Sequence, residues 1–397
     1  MNTHIPGWIS YRLSDIYTER KEPGNESLPL LTVSIHSGVS DGELDEDELP
    51  KKVKRIEDKS QYKRAATGDL VFNMMRAWQG AIGTVRTEGM VSPAYIVAKP
   101  NGKVYPPFMD YYMKAPRMVG MINRQSYGVT DFRKRLYWDS FAPIPCVLPP
   151  VREQKKIAEI LATQDKAIEL QGRKIEKLKR FKKGCLEKMF PRKGQKVPEK
   201  RLPGFTDDWE QRKVGEVSES YSGGTPSVGV KEYYGGQIPF IRSAEINSEI
   251  TELFLTEEGL KNSSARLVAV GDILYALYGA TSGEVGRARL KGAINQAILA
   301  IKPHTDYDSE YLAQWLRKSK HSIIETYLQG GQGNLSGTIV KELSVDFPSL
   351  KEQKAIGDFF RQLDNLITLH QRKLEEMKNQ KKALMQLLLT GIVRVRL

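Results

Sequence analysis

An internal repeat with an offset of about 200 residues is the feature that most constrains the fold of this chain. Its clearest part pairs a segment beginning at Pro149 with one beginning at Pro348, and the match continues without a gap to Lys183 and Lys382. The matched pairs include Glu153/Glu352, Gln154/Gln353, Lys155/Lys354, Ile157/Ile356, Asp165/Asp364, Ile168/Ile367, Leu170/Leu369, Arg173/Arg372, Lys174/Lys373 and Lys182/Lys381. Agreement at this density indicates a duplication within the chain.

The segments that precede these two runs also correspond, although more weakly. The corresponding positions are Trp8/Trp209, Gly68-Asp69-Leu70/Gly271-Asp272-Ile273, Gly80/Gly283, Gly83/Gly286 and Gly128/Gly331. The order along the chain is therefore domain, helix, domain, helix. Such a duplication predicts a protein with pseudo-two-fold symmetry.

Heptad spacing predicts that both repeated runs are long helices that pack as a coiled coil. The first seam consists of Ile157, Leu161, Gln164, Ile168, Gln171, Ile175, Leu178, Lys182, Cys185 and Met189. The second consists of Ile356, Phe360, Leu363, Ile367, His370, Leu374, Met377, Lys381, Leu384 and Leu388. The polar residues in these seams either fix the register or mark where the helices splay. About 35 residues at 1.5 Å each give a rod of roughly 50 Å, the length of about 15 base pairs.

Turn residues divide the chain into five segments. Prolines mark the start of each helix, Pro191 marks the end of the first, and the Lys-, Pro- and Gly-rich stretch after it indicates a linker. The predicted segments are a domain at 1–148, a spacer helix at 149–190, a linker at 191–205, a second domain at 206–347 and a second spacer helix at 348–390.

Within the two predicted domains, short β-branched or aromatic runs between turns indicate strands. Strands are predicted at 30–35, 70–73, 94–98, 273–277 and 297–301, and helices at 107–113 and 309–317. The predicted fold class is α+β, with two similar α/β domains separated by the two long helices.

The net charge of +13 and the pI of about 9.4 indicate a polyanionic partner. Most of the excess lies in the predicted helices, with about +9 in 151–200 and +5 in 349–397, against +3 in 1–150 and −4 in 201–348. A solvated helix face would have the same charge pattern. Two such segments in one chain favour steering of DNA.

The cysteines and the hydropathy pattern exclude other classes of protein. Cys146 and Cys185 have no Cys-x-x-Cys or Cys/His grouping, so we expect small buried apolar residues rather than a disulfide or a zinc site. No apolar run approaches the ~20 residues that span a bilayer, and the first ten residues do not resemble a signal peptide. We expect a cytoplasmic protein.

Catalytic motifs are not found in the sequence. The nearest match to the Asn/Asp/Ser-Pro-Pro-Tyr/Phe turn of amino-methyltransferases is Ser92-Pro93-Ala94-Tyr95, which has no second proline. The glycine-rich stretch 279–286 has no Gly-Lys-Ser/Thr ending, and the five histidines have no metal-ligand spacing. We therefore expect no catalytic residues and no metal.

Several loops combine amides, hydroxyls, basic groups and aromatic rings, the residue types that contact base edges and phosphates in DNA. Ordinary tight turns would also explain each loop taken alone, and Trp8, Trp209 and Trp315 are expected in the core. The candidate DNA-binding residues of the first half are Arg76, Trp78, Gln79, Gln125, Ser126, Tyr127, Thr130, Arg133, Lys134 and Arg135. Those of the second half are Thr225, Ser227, Arg242, Ser243, Asn247, Tyr278, Thr281, Ser282, Gln332 and Asn334.

With these residues assembled, the chain resembles the specificity subunits of type I restriction-modification systems over essentially its whole length. The most specific signal is the pair of Pro-x-x-x-Glu-Gln-Lys helix starts with Asp165 and Asp364 downstream. The second copy departs from the pattern at Ser349 and Gly357. Further support comes from Gly68-Asp69-Leu70-Val71, the 76–83 run, Val91-Ser92-Pro93-Ala94-Tyr95, and Leu202-Pro203-Gly204-Phe205 leading to Trp209.

The resemblance implies that each domain reads one half of a bipartite, asymmetric DNA sequence and that the two helices pack antiparallel and set the gap. It also implies two methyltransferase (modification) subunits and two restriction subunits as partners. Those partners would use S-adenosylmethionine, ATP and Mg²⁺, and this chain would bind no cofactor.

Two other functions stay open at this stage. An autonomous two-headed DNA-binding protein would bind its target tightly without partners. A self-sufficient methyltransferase or nuclease would be active alone, which the missing motifs argue against.

Overall fold

The computed structural model describes residues 5–35, 38–42, 61–129, 133–192, 194–328 and 334–396. The chain forms two compact units. Unit 1 comprises Met1–Gln171 together with Lys373–Leu397, and unit 2 comprises Gly172–Arg372. Each unit therefore combines one globular segment with a part of both long helices.

Unit 1 is built on a four-stranded antiparallel sheet. Its strand order is β2 (Tyr17–Glu19), β9 (Tyr95–Pro100), β6 (Leu70–Asn73) and β7 (Ile82–Thr84). Antiparallel two-stranded pairs accompany it: β1 (Ile9–Arg12) with β10 (Pro145–Leu148), β3 (Val33–Ser34) with β4 (Gly38–Val39), and β5 (Lys63–Ala65) with β8 (Gly89–Val91). The helices are α1 (Pro106–Met113), α2 (Pro116–Gln125) and α3 (Trp138–Phe141), with 3-10 turns at Leu13–Asp15 and Ala77–Gln79.

The central strands of unit 1 are buried on both faces, which explains their nearly continuous apolar sequence. Successive side chains of a strand point to opposite faces. Leu70 and Phe72 of β6 face the main core, and Val71 between them belongs to a second, smaller core. The main core also contains Cys146, and burial raises the pKa of its thiol to about 12.

Unit 2 repeats this arrangement and adds a second four-stranded sheet. The repeated sheet has the order β12 (Ser218–Ser222), β19 (Ile298–Pro303), β16 (Ile273–Ala276) and β17 (Val285–Arg287), and β11 (Glu210–Lys213) pairs with β20 (Ser344–Phe347). The added sheet has the order β14 (Phe254–Leu255), β13 (Tyr234–Ile241), β18 (Gly292–Ile294) and β15 (Arg266–Val268), and its β13–β18 pair is parallel. The helices are α5 (Val214–Val217), α6 (Glu257–Lys261), α7 (Ser309–Leu328) and α8 (Gly337–Lys341), with 3-10 turns at Lys231–Tyr233 and Ser243–Glu245.

The two units share their turn chemistry as well as their strand order. Gly68 and Gly271 have φ of +91° and +95°, a region that favours glycine. The following aspartate of each turn, Asp69 or Asp272, accepts a hydrogen bond of 2.8 Å from the backbone N–H three residues before it. The repeated Gly-Asp pair therefore forms the same kind of turn in both units.

The long helices are α4 (Val151–Met189), with 39 residues, and α9 (Leu350–Leu389), with 40 residues. In unit 1, Ile157 near the start of α4 shares a core with Leu388 near the end of α9. In unit 2, Met189 at the end of α4 shares a core with Ile356 near the start of α9. The two helices therefore run antiparallel.

The repeated glutamine anchors the start of each long helix. Gln154 accepts a hydrogen bond from the Tyr105 N–H at 2.8 Å and donates one to the Pro149 carbonyl, also at 2.8 Å. Gln353 makes the same two bonds, with the Asp308 N–H and the Pro348 carbonyl. Both glutamines are buried, so the repeated glutamine joins each helix to the globular segment before it.

The predicted fold class is confirmed, since the chain is α+β with two similar α/β portions and two long antiparallel helices. The predicted strands at 70–73, 94–98, 273–277 and 297–301 correspond to β6, β9, β16 and β19. The helix predicted at 309–317 extends to residue 328. Among the described residues, no helix is long and apolar enough to cross a membrane.

Candidate nucleic-acid interface

In unit 1 the structure brings together two of the predicted loops. The N–H of Leu136 donates to the carbonyl of Met74 at 2.8 Å, which places residues 133–136 beside residues 74–79. The Lys134 ammonium lies 5.5 Å from the centroid of the Trp78 ring, a cation–π contact. We call the surface formed by residues 75–79, 125–129 and 133–137 the unit 1 surface.

The part of the unit 1 surface at residues 125–129 is joined to residues 133–137 by a backbone bridge. Tyr127 and Arg135 exchange hydrogen bonds of 3.1 and 2.9 Å between their N–H and carbonyl groups. The Tyr127 ring is 59% exposed and lies 5.5 Å from the ring of Tyr137, which is 37% exposed. Exposed aromatic rings beside basic side chains are suited to contact with bases and phosphates.

The exposed residues of the unit 1 surface include Arg76, Gln79, Gln125, Arg133 and Arg135. Within the described part of the chain, none of these three arginine side chains forms a hydrogen bond or an ion pair. Among the described residues, these three charges are therefore not neutralised by a neighbouring side chain.

Two other predicted residues of the first half are placed differently. Ser126 is buried, and its hydroxyl donates to the carbonyl of Ile122 at 2.8 Å, so the side chain holds the end of α2. Thr130 lies outside the described residues.

Unit 2 presents an equivalent surface on the same backbone frame. The N–H of Leu335 donates to the carbonyl of Leu277 at 3.0 Å, the counterpart of the bond between Leu136 and Met74. This bond places exposed Asn334 beside the loop 278–282. We call the surface formed by residues 278–282 and 334 the unit 2 surface.

The predicted residues of the 278–282 loop are neutral and partly buried. Tyr278 packs against the core, and the Ser282 hydroxyl donates to the Leu277 carbonyl at 3.1 Å. Thr281 is half-buried, whereas Gln332 lies outside the described residues.

Two further predicted residues, Thr225 and Ser227, lie on the loop after β12 and are exposed. The Thr225 hydroxyl donates to the Gln296 side chain at 2.5 Å. Gln296 is followed by Ala297, whose carbonyl accepts a hydrogen bond from the Leu277 N–H. The loop is therefore linked to the unit 2 surface through the end of β19.

Arg242, Ser243 and Asn247 follow β13 along the chain. The Arg242 guanidinium is held by Glu245 at 2.9 Å and by Glu252 at 2.7 Å. Burial favours the neutral form of Glu245, but hydrogen bonds from Arg242 and from backbone N–H groups outweigh it and lower the pKa of this carboxyl to about 2. The Arg242 guanidinium is therefore already paired with two carboxylates.

The predicted helix seam lies on the packed side of both helices. The fully buried members are Ile157, Leu161, Ile175, Ile356, Phe360 and Ile367, and the half-buried members are Ile168, Leu178, Leu363, Leu374 and Met377. Leu170 and Leu369, which occupy equivalent positions off the seam, are 54% and 62% exposed.

The polar seam lysines form ion pairs that the sequence did not reveal. In unit 2, Lys182 donates to Asp364 at 2.6 Å, and Gln314 of α7 donates to the same carboxylate at 2.9 Å. In unit 1, Lys381 pairs with Asp165, which also accepts a hydrogen bond of 2.8 Å from the Tyr111 hydroxyl of α1. Each aspartate thus ties both long helices to a helix of the globular segment.

A second pair of ionic contacts was also missed. Glu153 and Glu352, each with a side chain 1% exposed, receive two-pronged hydrogen bonds from Arg394 and Arg201. Both arginines come from the chain that follows the other long helix. The repeated glutamate was the available signal, but its partner depends on tertiary packing and could not be predicted from the sequence.

Comparison with known proteins shows which family this chain resembles. A family model described as "Type I restriction modification DNA specificity domain" matches residues 206–379. In Methanocaldococcus jannaschii, the MjaX specificity subunit is 29% identical over 63% of this chain and 59% of its own length. The MjaVIII specificity subunit of the same organism is 25% identical over 78% of this chain and 75% of its own length. The chain is therefore similar to type I specificity subunits over these matched regions.

Solved structures share the fold over nearly the full length of this chain. The S subunit from M. genitalium has a TM-score of 0.61 at 13% identity and covers 98% of this chain and 97% of its own. The HsdS subunit from Thermoanaerobacter tengcongensis has a TM-score of 0.51 at 18% identity and covers 98% of both chains. At these identities the likeness concerns the fold.

These similarities confirm the predicted resemblance to type I specificity subunits and favour the assignment to a non-catalytic subunit. Tyr137 is an aromatic residue of the unit 1 surface that the sequence reasoning missed, although it lies only two residues after the Arg133-Lys134-Arg135 run. Within the described residues of this chain, no group of three His, Cys, Asp or Glu side chains is placed to bind a metal ion.

Proposed function

We propose that this chain is the DNA sequence-recognition subunit of a type I restriction-modification complex and reads a bipartite, asymmetric target. The observation that supports this most is the duplicated frame around Met74–Leu136 and Leu277–Leu335. The same backbone hydrogen bond presents a different set of side chains in each unit. Two similar frames with different side chains are what two unlike half-sites require.

The proposed division follows the repeat. Residues 1–148 and 206–347 form the two target-recognition domains, 149–190 and 348–390 the two spacer helices, and 191–205 the linker. The unit 1 and unit 2 surfaces contact DNA, and Arg76, Arg133, Lys134 and Arg135 are the residues of the first domain with charges suited to phosphate.

The spacer helices have the second proposed role, which is to set the gap between half-sites and to carry the partner subunits. The antiparallel seam and the Asp165 and Asp364 contacts give each recognition domain a fixed attachment to the helices. Two modification subunits, which methylate adenine, and two restriction subunits complete the complex. These partners supply the bond-making and bond-breaking chemistry.

Methylome sequencing tests the proposal directly. Cells that carry this chain with its modification subunit should contain one methylated motif with two defined halves and an unspecified gap. The motif should disappear when the gene for this chain is deleted, although the modification subunit is still made. A motif that persists after the deletion contradicts the proposal.

Assays on the purified chain separate the proposal from its alternatives. The chain alone should transfer no methyl group from S-adenosylmethionine and should not cut DNA. Tight, sequence-specific binding by the chain alone would instead support an autonomous two-headed DNA-binding protein.

A further inference from the structure

The unit 1 surface concentrates positive charge. Arg76, Arg133 and Arg135 are exposed and, among the described residues, have no side-chain partner, and Lys134 stands over the Trp78 ring. The two loops that carry these residues are joined by the Leu136–Met74 hydrogen bond. Four cations therefore lie on segments that pack side by side.

The equivalent positions of unit 2 carry no charge. When the Leu136–Met74 and Leu335–Leu277 hydrogen bonds are superposed, Arg76 corresponds to Gly279 and Arg135 corresponds to Asn334. Arg133 corresponds to Gln332, which lies outside the described residues. The sequence has no charged residue from 273 to 283 or from 326 to 340. The two units therefore differ in the charge of their side chains at equivalent positions.

Two cations of α7 in unit 2 are paired with glutamates. Lys320 pairs with Glu284, and Arg317 contacts Glu310 at 3.4 Å. The second globular segment, 201–348, has a net charge of −4, whereas 1–150 has +3. Neighbouring residues thus do not restore the positive charge that the surface lacks.

We propose that the two recognition domains hold DNA by different physical means. The unit 1 surface binds by neutralising phosphates with Arg76, Arg133, Lys134 and Arg135, whereas the unit 2 surface binds through neutral donors and acceptors. The salt sensitivity of DNA binding is then carried mainly by the first domain. This inference rests on the proposed function and assigns an electrostatic role to one half-site.

Salt titration of DNA binding tests this difference. Each phosphate neutralised by a cation contributes about −0.9 to the slope of log K against log salt for double-stranded DNA. The complex of the full chain with its modification subunits is titrated with target duplex at several KCl concentrations. The triple variant Arg76→Gln, Arg133→Gln, Arg135→Gln should reduce the magnitude of the slope by up to about 2.7, because three contacts are lost. Between 50 and 200 mM salt, wild-type binding would then weaken about 40-fold more than binding by the variant.

Matched variants in unit 2 provide the control. Thr281→Ala with Asn334→Ala should leave the slope at the wild-type value while weakening the preference for the second half-site. Asn334→Arg should increase the magnitude of the slope by about 0.9, because it adds one cation. The arginine variant in unit 2 also shows that the assay responds to a charge at this position.

The outcomes separate this inference from the proposed function. If the triple variant retains the wild-type slope while the wild-type complex prefers target over scrambled duplex, the inference is overturned and the proposed function stands. If the wild-type complex shows no such preference, the proposed function itself fails, and the inference with it.

Discussion

At the scale of single residues, the carboxylates of Glu153 and Glu352 are buried and need compensating contacts. A carboxylate removed from water is costly unless an opposite charge and hydrogen bonds compensate it. Arg201 supplies both to Glu352, with contacts of 2.8 and 2.7 Å, and its own side chain is 16% exposed. The linker that follows α4 is therefore fastened to the start of α9.

We expect Arg201→Ala to lower the free energy of unfolding by about 3 kcal/mol, because it leaves the Glu352 carboxylate buried without its cation. Urea denaturation followed by tryptophan fluorescence measures the change. Arg212→Ala is the matched control, since its pair with Glu210 is solvent-exposed and should contribute less than about 1 kcal/mol. Equal changes in the free energy of unfolding for the two substitutions would show that the buried pair contributes no more than the exposed pair.

At the scale of elements, the sequence predicted the long helices and their seam, but not the contacts that orient them. Heptad spacing is a local pattern, so it could be read from one helix at a time. The pairing of Lys182 with Asp364 joins residues 182 positions apart and depends on the antiparallel packing. The sequence could therefore indicate a polar position in the seam without indicating its partner.

The candidate surfaces could likewise be predicted only in part, because their loops are local features but the contacts between the loops are long-range. Residue types suggested the loops around Trp78 and Tyr127, but only the folded backbone shows that they meet at the Leu136–Met74 hydrogen bond. Composition alone also could not separate Arg133, which is exposed without a described partner, from Arg242, which two glutamates hold. Partners of a charged side chain are set by tertiary structure.

The length of the spacer helices should determine the gap between half-sites. Inserting four helical residues near Gln171 of α4 and four near His370 of α9 adds about 6 Å, so the gap should lengthen by roughly one to two base pairs. Methylome sequencing reads the gap directly. Four residues inserted between Gly194 and Gln195 in the linker should leave it unchanged. An unchanged gap after the helix insertions would rule out this role.

At the scale of the whole molecule, each compact unit contains one globular segment and parts of both long helices. Trp8 and Ile157 of unit 1 share their core with Leu388 from the other end of the chain. The duplication therefore produced halves that depend on each other for folding, because each core is completed by the helix of the other copy. Recognition can nevertheless be separate, because the candidate surfaces lie on the globular segments.

Exchanging one recognition domain tests the central claim most directly. Residues 1–148 are replaced by the corresponding segment of another specificity subunit, with Pro149 and the rest of the chain kept, and the methylome is sequenced in cells that also carry the modification subunit. The account predicts a new sequence in one half of the motif, with the other half and the gap unchanged. A change in both halves would contradict it.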